Sequence, residues 1–106
     1  METMVPLPIS DEALAEFCKK WKIRELYVFG SALRPEDFND DSDFDLIADF
    51  EPDAPWSLFD LMHLEWELTD LVGRRTEVIE RKAIEEDPNR RRKAHILGQA
   101  RLLYAA

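Results

Sequence analysis

Two stretches of the chain carry residue types that could do phosphoryl chemistry together. Asp43 and Asp45 stand two apart in DFDLIADF. On a strand they project to the same side with Cα atoms roughly 6.5 Å apart, and paired carboxylates of that kind grip divalent ions held about 4 Å from each other. Mg²⁺, a hard ion that wants oxygen ligands, is the ion this set selects. Upstream, the apolar run ELYVF stops at Gly30-Ser31, with Arg34 three residues on. A glycine ending a strand lets backbone approach a ligand, and the N–H groups and Ser31 hydroxyl beyond it suit phosphate oxygens, to which Arg34 could add charge. Each half alone is a weak signal, because acids often flank a strand as solvated positions and Gly-Ser is also an ordinary turn.

A calcium loop is the rival use of the acids, since Asp41, Asp43 and Asp45 imitate its positions one, three and five. It fails: position six would be Leu46 in place of Gly and position twelve Pro52 in place of Glu, removing both the sharp turn and the bidentate ligand. A two-metal site needs a third acid, for which TEVIE offers Glu77 and Glu80 on opposite faces of a strand. With Thr76, Val78 and Glu80 turned toward the core side, Glu77 is the candidate that faces Asp43 and Asp45.

These residues need a scaffold, and the chain supplies its signals. Ser10 before DEALAEFCKKW reads as an N-cap opening a helix, with acids in its first turn, Leu14, Phe17, Cys18 and Trp21 on one face, and lysines at its end. Glu25 to Phe29 reads as a buried strand, Ser31 to Arg34 as a brief helical turn and PEDFNDDS as a loop. In DFDLIADF, Phe44, Leu46, Ala48 and Phe50 alternate with Asp43, Asp45, Ile47 and Asp49, the pattern of a half-covered strand. Pro55 to Val72 carries a helical apolar stripe closed by Gly73. Thr76 to Arg81 is a third strand, and Pro88 opens a last helix with Ile96, Leu97, Ala100, Leu103 and Tyr104 on one face. The expectation is an α/β fold in the order α-β-β-α-β-α, with a small mixed sheet of about three strands covered by helices.

Composition sets the bounds. The 106 residues fit one domain, 1–106, with room for a modest core. The lone Cys18 on an apolar helix face indicates a reducing cytosol and a small buried hydrophobe. METMVPLPIS lacks the basic and apolar regions of an export leader, and no apolar run is long enough to span a membrane. A net charge of −9 argues against a surface that grips nucleic acid directly. That charge is uneven: residues 35–73 hold 13 acids and no Lys or Arg, whereas residues 74–106 hold nine of the 14 basic residues. His63 and His95 lack a second ligand at metal spacing. Trp56, Met62 and Trp66 read as core or subunit interface, and the run Arg90 to Lys93 as a solvated helix face.

Taken together, a strand, Gly30-Ser31-x-x-Arg34, a loop and Ser42-Asp43-Phe44-Asp45-Leu46 resemble the minimal nucleotidyltransferase domains of the polymerase β superfamily, whose pattern is G-S-x-x-R followed by S-D-x-D-L. The likeness covers nearly the whole chain. It implies a nucleotidyltransferase fold in which Asp43, Asp45 and Glu77 are catalytic and bind Mg²⁺, Glu77 serving also as a base. Gly30, Ser31 and Arg34 would bind the nucleotide, and a nucleoside monophosphate, AMP from ATP, would pass to an acceptor hydroxyl. Stand-alone domains of this size resemble the antitoxins paired with HEPN-type RNase toxins, some of which add AMP to a toxin tyrosine. The implied partners are therefore ATP and a cognate toxin in a hetero-oligomer, with no membrane involved. Two alternatives stand beside this: a non-catalytic antitoxin of the same fold that blocks its partner sterically, and a catalytic subunit acting on a small molecule held by a separate protein.

Overall fold

Apolar alternation in two neighbouring segments builds the centre of the molecule. In the computed structural model, which describes residues 5–106, β1 (Ile23–Phe29) and β2 (Phe44–Phe50) pair antiparallel, with Phe29 opposite Asp45 and Leu26 opposite Ala48. β3 (Thr76–Glu80) adds in parallel to β2, and β4 (Arg101–Ala105) adds antiparallel to β1, giving the order β3-β2-β1-β4. Part of the segment read for an export leader, residues 1–4, lies outside the described residues.

Period two divides each central strand between two faces. Leu26 and Val28 of β1 and Phe44, Leu46 and Ala48 of β2 are buried in one cluster with Leu14, Phe17 and Cys18 of α1 (Asp11–Lys20) and Leu64, Leu68 and Val72 of α2 (Leu58–Val72). Each of the Leu, Val and Phe side chains contributes about 1.5–3 kcal/mol by leaving water. Burial pushes the Cys18 thiol up to about 12, as expected of an inert core cysteine. Trp56 joins this layer by stacking on Trp21 at 5.0 Å and donating its ring N–H to the Trp21 carbonyl.

Local chemistry sets the helix limits. Ser10 accepts from the Ala13 N–H at the start of α1. Ser57 and Asp60 form a reciprocal capping box for α2, and Gly73, at φ 80°, ends it in the left-handed region that glycine occupies without strain. The same helix protects the outer edge of β3. Glu65 accepts from the Val78 N–H at 3.0 Å, and the Thr69 hydroxyl accepts from the Thr76 N–H at 3.1 Å. These polar residues blunt an edge that would otherwise offer itself for pairing.

The C-terminal third departs from expectation. The sheet has four strands rather than about three. A short helix, α3 (Arg81–Glu85), follows β3 directly, and α4 spans Arg90–Gln99. Asn89, rather than Pro88, opens α4, its side chain accepting from the Arg92 N–H at 3.0 Å. Leu103 and Tyr104 do not continue that helix: at Ala100 the backbone turns extended (ψ 141°) and the chain runs back along β1. The physical reason is the free edge of β1, whose row of backbone donors and acceptors is worth more to RLLYA than another helical turn. Among the described residues no helix is long and apolar enough to cross a membrane.

Candidate active site

The face of the sheet opposite α1 and α2 carries the acids. Asp45 leads β2 and lies in register with Glu77 of β3 and with Phe29 of β1. Asp43 immediately precedes β2. The structure therefore brings Asp43, Asp45 and Glu77 to one end of one face. Glu80, the competing acid, pairs with Ala48 farther along on the other face.

Crowding shows in the acidity. Burial first, then the Glu77 and Asp43 carboxylates, and finally a hydrogen bond shared with Glu77, hold the Asp45 carboxyl above the usual carboxylate range. Among the described residues no three acidic, His or Cys side chains already stand at the spacing of a closed metal shell. The chemistry of the donor set nevertheless fits a hard cation: three carboxylates, oxygen only, two of them solvent-accessible (Asp43 38% and Glu77 43% exposed), with carboxylate repulsion felt at Asp45.

Gly30 joins the turn to the acids. It has φ 78°, and a Cβ built on it would lie 2.6 Å from Asp45 Oδ2. Backbone and carboxylate can thus come together only because the side chain there is hydrogen. Ser31 follows in a 3₁₀ turn over Gly30–Leu33, anchored by buried Ala32, whose carbonyl accepts from the Val5 N–H at 2.7 Å. Arg34 does not reach the acids. Its Nε donates to Asp37 at 2.9 Å in an exposed pair beyond the turn.

Two arginines that the motif does not contain also belong to the site. Arg75, just before β3, lies 3.9 Å from Asp43 Oδ2 and 3.3 Å from Glu77 Oε1, supplying the positive charge the three acids lack. Arg74 donates to the Asn39 and Ser42 carbonyls and stacks at 4.7 Å on Phe38, whose ring packs on Phe44, so it ties the loop before Asp43 to β3. The available signal was the Arg pair directly ahead of the third acidic strand.

Farther along the same face a cavity of about 230 Å³ is lined by Tyr27, Ile47, Arg81, Leu97 and Ala100. There the Tyr27 hydroxyl donates to Glu25 and accepts from Arg81 at 3.1 Å.

A small mixed sheet, helices on its apolar face, and a Gly-Ser turn abutting a D-x-D pair define the nucleotidyltransferase class of fold. Comparison with known proteins agrees. The nucleotidyltransferase domain family model matches residues 10–101. A solved structure assigned as a minimal nucleotidyltransferase is 30% identical and superposes with a TM-score of 0.67, covering 87% of both chains. A toxin–antitoxin structure with AMP-PNP (12% identity, TM-score 0.65) and a mutant of the toxin–antitoxin pair MntA–HpeT (9%, TM-score 0.62) each cover 92% of this chain and 75% of theirs, a likeness of fold. A search of curated proteins returns no match. The chain belongs to the nucleotidyltransferase domain family.

Proposed function

We propose that this chain is a single-domain, cytosolic, Mg²⁺-dependent nucleotidyltransferase that moves AMP from ATP to a hydroxyl, the acceptor being a tyrosine of a cognate HEPN-type toxin. The observation that carries this reading is the abutment of Gly30 on Asp45, 2.6 Å from an added Cβ to the carboxylate. It sets the Gly30-Ser31 turn against the Asp43 and Asp45 pair, two signals each weak alone, in one place. Support for the partner comes from the fold shared with toxin–antitoxin structures, one of them with an ATP analogue, and from the acidic surface, which suits a basic nucleic-acid-binding protein.

In this reading Asp43, Asp45 and Glu77 hold Mg²⁺, which when bound neutralises phosphate charge and eases ionisation of the acceptor hydroxyl. Gly30 and Ser31 hold the phosphates of ATP. Arg34 assists only after release from Asp37. The acceptor oxygen forms a bond to the α-phosphorus as the bond to the bridging oxygen breaks and pyrophosphate leaves. Glu77 takes the hydroxyl proton.

The test is to incubate the protein with labelled ATP, Mg²⁺ and the purified product of the neighbouring open reading frame. Transfer of label that disappears in Asp43→Ala/Asp45→Ala supports the proposal. Tight binding by both forms with no transfer overturns it in favour of a steric antitoxin.

A further inference from the structure

α2 is apolar on two sides. Its inward side buries Leu64, Leu68 and Val72. At 100° per residue, Phe59, Met62 and Trp66 form a second stripe centred roughly 150° round the helix from the first, with Leu58 at its edge. They are 77%, 75%, 44% and 58% exposed, and His63 stands edge-on to Trp66 at 5.3 Å. Large exposed apolar side chains gathered on one element mark an interaction site. Spacing at i, i+3 and i+7 (Phe59, Met62, Trp66) is that of a helix laid into a groove.

Charge selects the occupant. The same helix holds Asp60, Glu65, Glu67 and Asp70, and residues 35–73 contain no Lys or Arg. Glu67 pairs with Lys20 and Glu65 accepts from the Val78 N–H, which leaves Asp60 and Asp70 as the acids beside the stripe without a basic partner among the ion pairs of the described residues. A second copy of this chain would set acid against acid around the stripe, and like charges facing each other oppose association. A groove bordered by Lys and Arg would instead gain on both counts. We infer that the outward face of α2 is a docking surface for a protein that presents an apolar, helix-accepting groove with a basic rim.

The surface lies across the sheet from the candidate active site, because α2 packs on the Phe44, Leu46 and Ala48 face while Asp45 and Glu77 occupy the other. A docked partner therefore does not cover the acids, and an acceptor tyrosine of that partner must reach them from a segment extending past the docked surface. Identifying that partner with the toxin rests on the function proposed above; the surface itself does not require catalysis.

The experiment measures binding of the purified neighbouring-frame product to wild type, Phe59→Ser/Trp66→Ser and Asp43→Asn/Asp45→Asn by calorimetry, with sedimentation equilibrium of each form alone. Because Phe59 and Trp66 are exposed, the first variant should fold as wild type does, and circular dichroism checks that it has. The expected result is a complex weakened at least about a hundredfold by Phe59→Ser/Trp66→Ser, weakened also by salt, and retained by the aspartate variant. Unchanged binding of the α2 variant overturns the inference. So does absence of any wild-type complex, or self-association of wild type that the α2 variant abolishes, the last naming a second copy as occupant. Wild type that docks but transfers no label would fault the catalytic reading alone.

Discussion

At the scale of single residues, the site depends on one missing side chain and three carboxylates that repel each other. Gly30→Ala meets both a φ of 78° and a carboxylate oxygen 2.6 Å away. The left-handed backbone alone costs about 1–2 kcal/mol, and relief of the clash must displace Asp45. Thermal melting should show a fall of about 4–8 °C per kcal/mol, with label transfer reduced about a hundredfold by the misplaced acid; a variant of wild-type stability and activity would contradict this geometry. Asp45→Asn should do the reverse to stability. Its folded-state carboxyl is held above the ordinary range, so its contribution is favourable below the unfolded carboxyl range and is lost as pH rises through the folded value. Removing the charge therefore raises the melting temperature by about 2–4 °C near pH 7. The gain disappears at acid pH, where the wild-type group is protonated, and activity is lost throughout. Asp43, Asp45 and Gly30 were legible because their chemistry is local and their spacing survives folding. Arg75 was not, since its role depends on β3 lying beside β2. Arg34 was legible as a cation but not as a partner of Asp37, a choice made by the turn at Pro35.

At the scale of elements, periodicity was informative wherever one face of an element is buried. α1, α2 and the three strands of the expected sheet appear in order, with limits set by Ser10, Ser57 and Gly73 as caps. The tail forms a strand although Leu103 and Tyr104 also satisfy a helical period when added to Ile96, Leu97 and Ala100, because short apolar runs fit either structure. What decides them is the unpaired edge of β1, invisible until the sheet is assembled. Leu103→Ala tests the assignment. Leu103 packs against the core from β4, so its truncation should lower stability by about 1–2 kcal/mol, measured by denaturant unfolding. At the frayed end of an exposed helix, alanine would be neutral or stabilising. Amide exchange should likewise protect the Leu102 and Tyr104 segment as part of the β1 ladder.

At the scale of the whole molecule, the chain carries a net charge of −9, with an acidic middle and a more basic C-terminal third. If the acidic surface steers a basic partner, the association rate should fall about tenfold between about 0.05 and 0.5 M salt while dissociation changes less, a split that stopped-flow measurement resolves. A rate insensitive to salt would remove charge steering and leave the apolar stripe of α2 to account for association. The sequence alone determined the acids, the Gly-Ser turn, the Ser10 and Gly73 caps and the overall charge, because each follows from residue type and short-range spacing. Tertiary structure decided what no local pattern contains. It set Asp45 in register with Glu77 and against Gly30, brought Arg75 to the carboxylates, and drew the C-terminal segment into the sheet. It also turned one apolar face of α2 inward and left the other in solvent. Each of these depends on which surfaces meet, and only the folded chain brings them together.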